Sequence, residues 1–306
     1  MPHYHSWEKL NFDSVWLTIG SFDGVHIGHQ RLIRQMADEA HTAGGNAVAL
    51  TFFPHPALVL RGLSTPYYLT DSDEKAELLS KHGADAVLTI PFSPELAALS
   101  AVDFMQIIKD HMHLTYLWVG YDFALGRKRE GDISRLTEIG KELGYQVNVL
   151  HAVKKENETV SSRQIRSLLK EGSVDLAARL LGRLYSVSGK VIHGDGRGKL
   201  LGIPTTNLQY APQRLLPRPG VYATYAHVGD QTYKAVTNIG TNPTFIDSPI
   251  PLRLETYIID FSGDLYDTQQ TIDFSHFIRS EEKYTSVQAL KDRIDQDILF
   301  ARENLS

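Results

Sequence analysis

The chain of 306 residues contains no cysteine. This absence excludes disulfide bonds, zinc sites built on thiolates and cysteine nucleophiles. A membrane-spanning helix needs about 20 consecutive apolar residues, and no segment of the sequence approaches that length. Residues 1–14 include His3, His5 and Lys9 where a signal peptide would carry an apolar run. We therefore expect a soluble, cytoplasmic protein with no membrane partner.

An excess of positive charge is also missing, since 31 Lys and Arg stand against 36 Asp and Glu, for a net charge of −5. A nucleic-acid partner is not expected, because no basic stripe is available to pair with phosphates. The sequence indicates no obligate protein partner either. Hydrophobic residues make up 42% and charged residues 22%, as in folded proteins. A single core rarely exceeds ~250–300 residues, so two domains are expected.

Apolar strand-like runs alternate with segments of helical periodicity in the first half of the chain. This alternation predicts a doubly wound, Rossmann-like α/β domain with a parallel sheet. Such a sheet binds ligands beyond the carboxyl ends of its strands. The predicted strands are Val15–Ile19, Ala47–Phe53, Ala86–Ile90, Tyr116–Val119 and Gln146–Leu150, and the predicted helices are Gln30–Ala43, Asp73–His82, Ala101–Asp110, Ile133–Leu143, Ser162–Lys170 and Val174–Leu181.

From Tyr185 onward, short β-rich runs are separated by Gly, Pro, Asp and Asn turns. This pattern predicts an antiparallel β-barrel, closed by a helix over Ser286–Glu303. We place the domain boundary between residues 183 and 184, giving domains 1–183 and 184–306. The predicted barrel strands are Val187–Ile192, Gly220–Val228, Thr232–Thr237, Leu252–Phe261 and Gln270–Phe277.

The segment Gly20–His29 lies where the first predicted strand ends and the first helix begins. Free N–H groups and the helix dipole make this position an anion site. His26 and His29 are one helical turn apart, and imidazole donors facing an α-phosphate would stabilise nucleotidyl transfer. A surface histidine pair or half of a zinc site are the alternatives, although no third zinc ligand is placed nearby.

The His26-Ile27-Gly28-His29 run resembles the His-x-Gly-His signature of the nucleotidylyltransferase superfamily. With Phe22-Asp23-Gly24 ahead of it, it resembles the FMN adenylyltransferase module of bacterial bifunctional riboflavin kinase/FAD synthetases. The resemblance implies that His26, His29 and Arg166 are catalytic. The ATP- and flavin-binding residues it implies are Gly20, Phe22, Asp23, Gly24, Gly28, Pro54, His55, Asp122, Phe123, Ser161, Ser162 and Arg163.

Three positions depart from that family pattern. Arg163 stands where threonine is common, so a hydroxyl is lost and a cation is gained. Ala124 and Leu125 stand where Arg and Phe are frequent after Asp122-Phe123. We therefore expect no phosphate contact from Ala124 and no stacking from Leu125.

The glycine-rich segment His193–Lys199 is not a P-loop, because His193 fills the first glycine slot and Leu200 the Ser/Thr slot. It also lacks the third glycine of a dinucleotide-binding loop, and an ordinary turn is the alternative. It leads into Pro204-Thr205-Thr206-Asn207, which resembles the Pro-Thr-Ala-Asn motif of riboflavin kinases, with Thr206 in the alanine slot.

The riboflavin kinase resemblance implies that Thr205 and Asn207 hold Mg²⁺, a cation that prefers oxygen ligands. It also implies that Glu255 is the general base, which a primary alcohol attacking a γ-phosphate requires. The ATP- and flavin-binding residues it implies are Gly194, Gly196, Gly198, Lys199, Pro204, Tyr222, Asn238 and Arg279.

Together the two resemblances imply that riboflavin and ATP give FMN, and that FMN and ATP then give FAD and pyrophosphate. Three alternatives stay open. An aminoacyl-tRNA synthetase-like enzyme also carries a His-x-Gly-His loop, although the sequence has no Lys-x-Ser-Lys signature. A non-catalytic flavin or nucleotide sensor and a kinase with a degenerate partner domain are the other two.

Overall fold

The computed structural model describes residues 2–7, 11–63, 66–151, 154–155, 158–194, 196, 198, 202–240 and 252–306. The chain divides into two compact units, residues 1–162 and 163–306. The second unit therefore includes almost all of the helical segment that precedes the barrel. The boundary at 183/184 stays a prediction of where one domain ends and the next begins. Among the described residues, no helix is long and apolar enough to cross a membrane.

The first unit is built on a parallel sheet of six strands in the order β1-β4-β3-β2-β5-β6. This arrangement confirms the predicted α/β layer. The strand order reverses at β2, because β3 and β4 extend the sheet on one side and β5 and β6 on the other. Beyond the carboxyl ends of β2 and β5 lies the crevice where such sheets bind ligands. The strands are β1 His3–Tyr4, β2 Val15–Ile19, β3 Asn46–Phe53, β4 Ala86–Pro91, β5 Leu114–Gly120 and β6 Gln146–Leu150.

Helices cover both faces of this sheet, so its strands are apolar on both sides. Val15, Leu17 and Ile19 of β2 belong to one buried cluster, and Trp16 belongs to the cluster on the opposite face. The sequence predicts the long helices correctly and misses β1 and the two short helices that begin with proline. The helices are α1 Ile27–Thr42, α2 Pro56–Arg61, α3 Ser72–Lys81, α4 Pro94–Ala98, α5 Ala101–His111 and α6 Ile133–Leu143, and a small hairpin follows with β7 Lys154–Lys155 and β8 Glu158–Thr159.

The second unit contains a closed antiparallel barrel with the strand order β10-β13-β12-β11-β14-β9. The barrel and its final helix confirm the fold predicted for this part of the chain. The sequence does not predict β10, because its polar residues follow a proline and resemble a turn. The elements are α7 Ser162–Glu171, α8 Val174–Leu181, β9 Tyr185–Ile192, β10 Thr206–Tyr210, β11 Gly220–Val228, β12 Gln231–Gly240, β13 Arg253–Ile258, β14 Gln269–Arg279 and α9 Val287–Asn304.

Hydrogen-bonded threonines occupy part of the barrel interior. The Thr237 hydroxyl lies 2.8 Å from that of Thr224 and 2.9 Å from that of Thr256, and all three side chains are buried. Thr206 donates to Oε1 of the buried Gln270 at 2.8 Å. Thr206, the residue in the alanine slot of the family motif, thus serves the barrel interior.

Candidate functional sites

The histidine loop connects β2 to α1 at the reversal point of the parallel sheet. His26 is the N-cap of α1, and its Nδ1 accepts a hydrogen bond from the His29 backbone N–H at 3.4 Å. The two imidazole rings stack with centroids 3.6 Å apart, and Phe22 meets the His29 ring edge-on at 5.2 Å. The structure therefore brings the two predicted catalytic histidines together at a helix N-terminus, where anions bind.

Both histidines are held in the neutral form near pH 7. Burial lowers the pKa of His26 to about 4, with the Asp23 carboxylate partly opposing the shift. Burial lowers the pKa of His29 well below 6.5, and the positive charges of protonated His26 and of Lys75 lower it further. Because Nδ1 of neutral His26 accepts the capping bond, Nε2 carries the proton and is a hydrogen-bond donor. Among the described residues, the enclosed His29 Nδ1 has no hydrogen-bond partner.

Asp23 holds the histidine loop to the segment before α3. Its carboxylate accepts hydrogen bonds from the backbone N–H groups of Leu69 at 3.0 Å and Thr70 at 3.2 Å. The Thr70 hydroxyl in turn accepts from the N–H of Gly24 at 3.1 Å. The loop needs this support because Phe22 and Val25 have φ of +46° and +40°, a region that costs side-chain-bearing residues energy.

Gly20 and Gly28 are positions where a side chain would collide with the histidine loop. A Cβ at Gly20 would lie 2.9 Å from the Phe22 ring, and one at Gly28 would lie 3.1 Å from the His26 ring. The two glycines thus permit the ring packing that orients the histidines.

Lys75 is a residue of this region that the sequence analysis missed. It belongs to α3 and is only 5% exposed, and its Nζ donates to the Ser21 carbonyl at 3.2 Å and to Thr51 Oγ1 at 3.0 Å. Lysine in an exposed-looking helix is usually a surface residue, so the only sequence signal was its apolar flank of Ala76, Leu78 and Leu79.

An aromatic group follows the carboxyl end of β3. Pro54 lies in the turn after this strand, and His55 caps α2 by accepting from the Ala57 N–H at 3.0 Å. The His55 ring lies 5.1 Å from the ring of Tyr67, and its backbone N–H donates to the Tyr68 hydroxyl at 2.8 Å. Phe53, 43% exposed, leaves an apolar ring facing solvent beside them. The two tyrosines were not predicted, because they lie outside the motif.

Asp122 and Phe123 lie in the turn after β5, at the other side of the reversal point. Asp122 is exposed, its carbonyl accepts from Arg129 Nη2 at 2.9 Å, and Phe123 packs partly against the apolar core. Leu125 also packs against that core.

The predicted serine pair begins α7. Ser162 Oγ donates to the Asp23 carbonyl at 2.8 Å, which brings Ser161 and Ser162 to the histidine loop. Arg163 and Arg166 follow within the first two turns of α7, in the second compact unit. Their roles in nucleotide binding stay predictions.

A row of polar residues crosses three neighbouring strands of the barrel. Glu255 on β13 lies directly opposite Asn207 on β10 and directly opposite Asn238 on β12. Residues opposite each other in antiparallel strands present their side chains on one face, about 5 Å apart. All three are half-buried, and Asn238 Nδ2 lies 3.4 Å from Glu281 Oε1. The structure thus brings together the predicted base, a predicted metal ligand and a predicted binding residue.

The glycine-rich loop lies against this row. A Cβ at Gly194 would fall 2.2 Å from Asn207 Nδ2, and one at Gly198 would fall 3.2 Å from Thr205 Oγ1 and 2.4 Å from the Ile203 carbonyl oxygen. Only glycine permits this approach. Gly196 has φ of +71°, and Pro204 is exposed in the turn before β10. Lys199, also predicted to bind ATP, lies outside the described residues.

Two predicted kinase residues make contacts within the barrel and with its final helix, and their binding roles stay predictions. Tyr222 is completely buried in the barrel, with its hydroxyl donating to the Arg218 carbonyl at 2.6 Å. Arg279 pairs with the buried Asp297 of α9, with Nη2–Oδ2 and Nε–Oδ1 distances of 2.7 and 3.0 Å. Arg279 therefore fastens the final helix to the barrel, a role that the sequence motif did not indicate.

Oxygen ligands for a magnesium ion are present beside the glycine-rich loop. No group of three or more His, Asp or Glu that could hold a metal occurs in the described part of the chain. The Thr205 hydroxyl and the Asn207 amide oxygen, each close to a glycine of this loop, instead match a cation that takes its other ligands from water and substrate. The donor set fits Mg²⁺.

Two family models match the chain in succession. Residues 9–164 match the model described as FAD synthetase, and residues 181–305 match riboflavin kinase. Similar curated proteins are named bifunctional riboflavin kinase/FMN adenylyltransferase. The protein from Pseudomonas fluorescens is 36% identical over 93% of this chain and 91% of its own length. The protein from Listeria monocytogenes is 34% identical over 92% of this chain and 89% of its own length. The protein from Escherichia coli K12 is 35% identical over 98% of this chain and 95% of its own length.

A solved structure also resembles the whole chain. A crystal structure titled macrolide-efflux protein, from Streptococcus pneumoniae, has a TM-score of 0.88 and 28% sequence identity, and the match covers 99% of each chain. The efflux title describes that protein. For the present chain, both family models and the named relatives indicate flavin enzymes.

Proposed function

The chain belongs to the bifunctional riboflavin kinase/FMN adenylyltransferase family, and from this premise we propose how its residues divide the two reactions. The C-terminal domain phosphorylates riboflavin to FMN, and the N-terminal domain adenylylates FMN to FAD with release of pyrophosphate. Family membership removes the synthetase-like alternative. The assignment of individual residues, the magnesium ion and the cytoplasmic location are proposals.

In the kinase reaction, the Glu255 carboxylate accepts the proton of the primary alcohol of riboflavin. The alcohol oxygen then bonds to the γ-phosphorus of ATP while the bond to the β–γ bridging oxygen breaks, and ADP leaves. Support for this role comes from the Asn207–Glu255–Asn238 row, which places a carboxylate beside a metal-ligand candidate. Gly194 and Gly198 let the backbone of the glycine-rich loop come close to Asn207 and Thr205.

Thr205 and Asn207 would hold Mg²⁺ together with the ATP phosphates. When bound, the ion neutralises phosphate charge and orients the transferred group. The oxygen donors and the absence of Cβ atoms at Gly194 and Gly198 support this assignment. Asn238 is the third residue of the polar row and lies next to the base Glu255. Its contact with Glu281 orients the Asn238 amide at that position.

In the adenylyl reaction, a phosphate oxygen of FMN bonds to the α-phosphorus of ATP and the α–β bridging bond breaks. FMN is already anionic near pH 7, so this step needs orientation and charge stabilisation and no general base. The Nε2–H of His26 donates to the α-phosphate, and His29 and Arg166 complete the stabilisation. The observation that carries this assignment is the capping bond that fixes the tautomer of a buried, neutral His26.

Product analysis tests both assignments in a single experiment. The purified chain is incubated with riboflavin, ATP and Mg²⁺, and FMN and FAD are separated by chromatography. We expect FMN to appear first and FAD to follow. Accumulation of FMN without FAD would establish the kinase-only alternative, and the absence of both products would support a non-catalytic sensor. Omitting Mg²⁺ in the presence of a chelator should stop FMN formation.

A further inference from the structure

Lys75 is a buried cation that no step of the two reactions uses. The side chain lies on α3, and only 5% of the residue is exposed. Lysine is rarely buried without a partner, because removing an ammonium group from water is costly. A buried lysine within a ligand-binding region therefore calls for a physical role.

The partners of Lys75 lie on two elements, the start of the histidine loop and the strand β3. Nζ donates to the Ser21 carbonyl at 3.2 Å and to Thr51 Oγ1 at 3.0 Å, and the Thr51 hydroxyl donates to the same carbonyl at 3.1 Å. Thr51 lies on β3, and Ser21 begins the histidine loop. The ammonium thus joins the end of one strand to the loop that leaves its neighbour.

The contact with Ser21 acts at a strained part of the loop. Phe22, which follows Ser21 directly, has φ of +46°, and Val25 has φ of +40°. Such conformations persist only when surrounding contacts hold them. Asp23 holds the loop from one side through Leu69 and Thr70, and Lys75 holds it from the carbonyl of Ser21.

The charge of Lys75 also acts on the histidines. Asp23 and Asp71 face the ammonium and favour its charged form, whereas burial opposes that form and lowers the pKa of Lys75 to about 8. The positive charge contributes to the low pKa values of His29 and of His3 on β1, and His26 acts on His29 in the same direction. Lys75 therefore helps keep His29 neutral.

We propose that Lys75 is a positioning residue for FMN adenylylation, because its ammonium ties the Ser21 carbonyl and the Thr51 hydroxyl together at the start of the histidine loop. The lysine acts through His26 and His29, which the loop presents to the α-phosphate. This inference rests on the proposed assignment of FMN adenylylation to the histidine loop.

A variant that lacks the Lys75 charge distinguishes the proposed positioning role from a purely structural role of the side chain. Methionine has a volume close to that of lysine, and the lowered pKa of Lys75 means that the cost of burying its ammonium outweighs the attraction of the nearby carboxylates. The Thr51 hydroxyl would still donate to the Ser21 carbonyl, so that carbonyl keeps a partner. Lys75→Met should therefore be at least as stable as the wild type and slower in FAD synthesis.

The test compares Lys75→Met with Lys81→Met, which alters the exposed lysine at the end of the same helix. For Lys75→Met we expect kcat for conversion of FMN to FAD to fall by about tenfold or more, with KM for FMN changed by less than about twofold. Riboflavin phosphorylation by the same chain and the thermal midpoint should not fall. Lys81→Met should match the wild type in every measurement.

The pH profile supplies a readout that a structural role would not change. FAD synthesis by the wild type should decline above pH ~8 as Lys75 loses its proton. That decline should be absent from Lys75→Met. An unchanged alkaline limb in this variant would overturn the proposal.

Thr51→Val provides a second variant that keeps the ammonium and removes one acceptor. It should slow FAD synthesis and spare the kinase, and the double variant should be no slower than Lys75→Met alone, since the two side chains act as a unit. If the rate losses of the two single variants multiply in the double variant, the proposal is overturned. If Lys75→Met proves unstable, Thr51→Val becomes the test of the proposal. Wild-type FAD synthesis in Thr51→Val would then count against the inference.

The outcomes also separate this inference from the proposed function. If the wild type makes no FAD, the assignment of FMN adenylylation itself fails. If the wild type makes FAD and Lys75→Met makes it at the same rate, the assignment of that reaction stands and the role of Lys75 fails.

Discussion

Asn207 and Glu255 lie directly opposite each other across the β10–β13 strand pair. They are 48 positions apart along the numbering of the chain, and antiparallel pairing puts their side chains on one face. A candidate metal ligand and a candidate general base thus become neighbours through backbone hydrogen bonding alone. The geometry suits a reaction in which the base accepts a proton from an alcohol beside metal-held phosphates.

Replacing Glu255 by Gln should abolish most riboflavin phosphorylation and leave conversion of FMN to FAD nearly intact. The expected loss of kinase kcat is about 10²–10⁴-fold, the usual contribution of a positioned base. Separate assays with riboflavin and with FMN as substrates measure the two effects. Glu303→Gln, at an exposed position of α9, is the matched control. Loss of both activities in Glu255→Gln would count against separate sites.

Replacing Gly194 by Ala should impair the kinase without unfolding the barrel. The new Cβ would lie 2.2 Å from Asn207 Nδ2, so the amide must move away from the glycine-rich loop. A displacement of about 1 Å in such a site costs on the order of 10²-fold in rate. Gly229→Ala is the control for backbone strain without a collision, because Gly229 has φ of +57° and no atom lies within 4 Å of the added Cβ. Riboflavin phosphorylation at the wild-type rate in Gly194→Ala would show that Asn207 holds no reacting group.

Replacing His29 by Ala should slow FAD synthesis and spare riboflavin phosphorylation. Loss of one donor to developing phosphate charge lowers kcat by about 10²–10³-fold. The reaction is followed by chromatographic measurement of FAD formed from FMN and ATP. His41→Ala, at the exposed end of the same helix, should retain wild-type activity. Undiminished FAD synthesis in His29→Ala would remove the adenylylation assignment from this loop.

The stability of the first unit should decrease as the pH falls from about 6.5 to about 4. His26 has a pKa of about 4 in the folded state and about 6.5 when unfolded, so between these values only the unfolded chain binds the proton. The stabilisation is therefore fully present above pH ~6.5 and is lost as the pH falls towards 4. At about 1.4 kcal/mol for each pH unit in this window, the loss from His26 is about 3 kcal/mol.

Tryptophan fluorescence measures this effect selectively. The three tryptophans, Trp7, Trp16 and Trp118, all belong to the first unit. Urea unfolding of the wild type and of His26→Asn, which keeps an N-cap side chain, should give a steeper pH dependence for the wild type. Equal slopes in the two proteins would contradict the neutral, buried state of His26.

The sequence determined the identity and order of the elements wherever apolar periodicity was long. Val15–Ile19, Ile133–Leu143 and Gly220–Val228 were predicted at their observed bounds. β1 and α2 escaped, because the two residues of β1 form no apolar run and the six residues of α2 make fewer than two helical turns. The motifs likewise located His26, His29, Asn207 and Glu255, because each motif is a local run of residues.

Only the tertiary structure decided which polar side chains serve the sites and which serve the fold. Lys75 resembles a surface residue in the sequence, yet packing buries it against Ser21 and Thr51. Arg279 is predicted from its motif to bind ATP or flavin, and the fold also pairs it with Asp297. Burial and pairing arise from contacts between residues far apart in the chain. The periodicity of a segment can be read from the sequence, but the residues that folding places opposite it cannot.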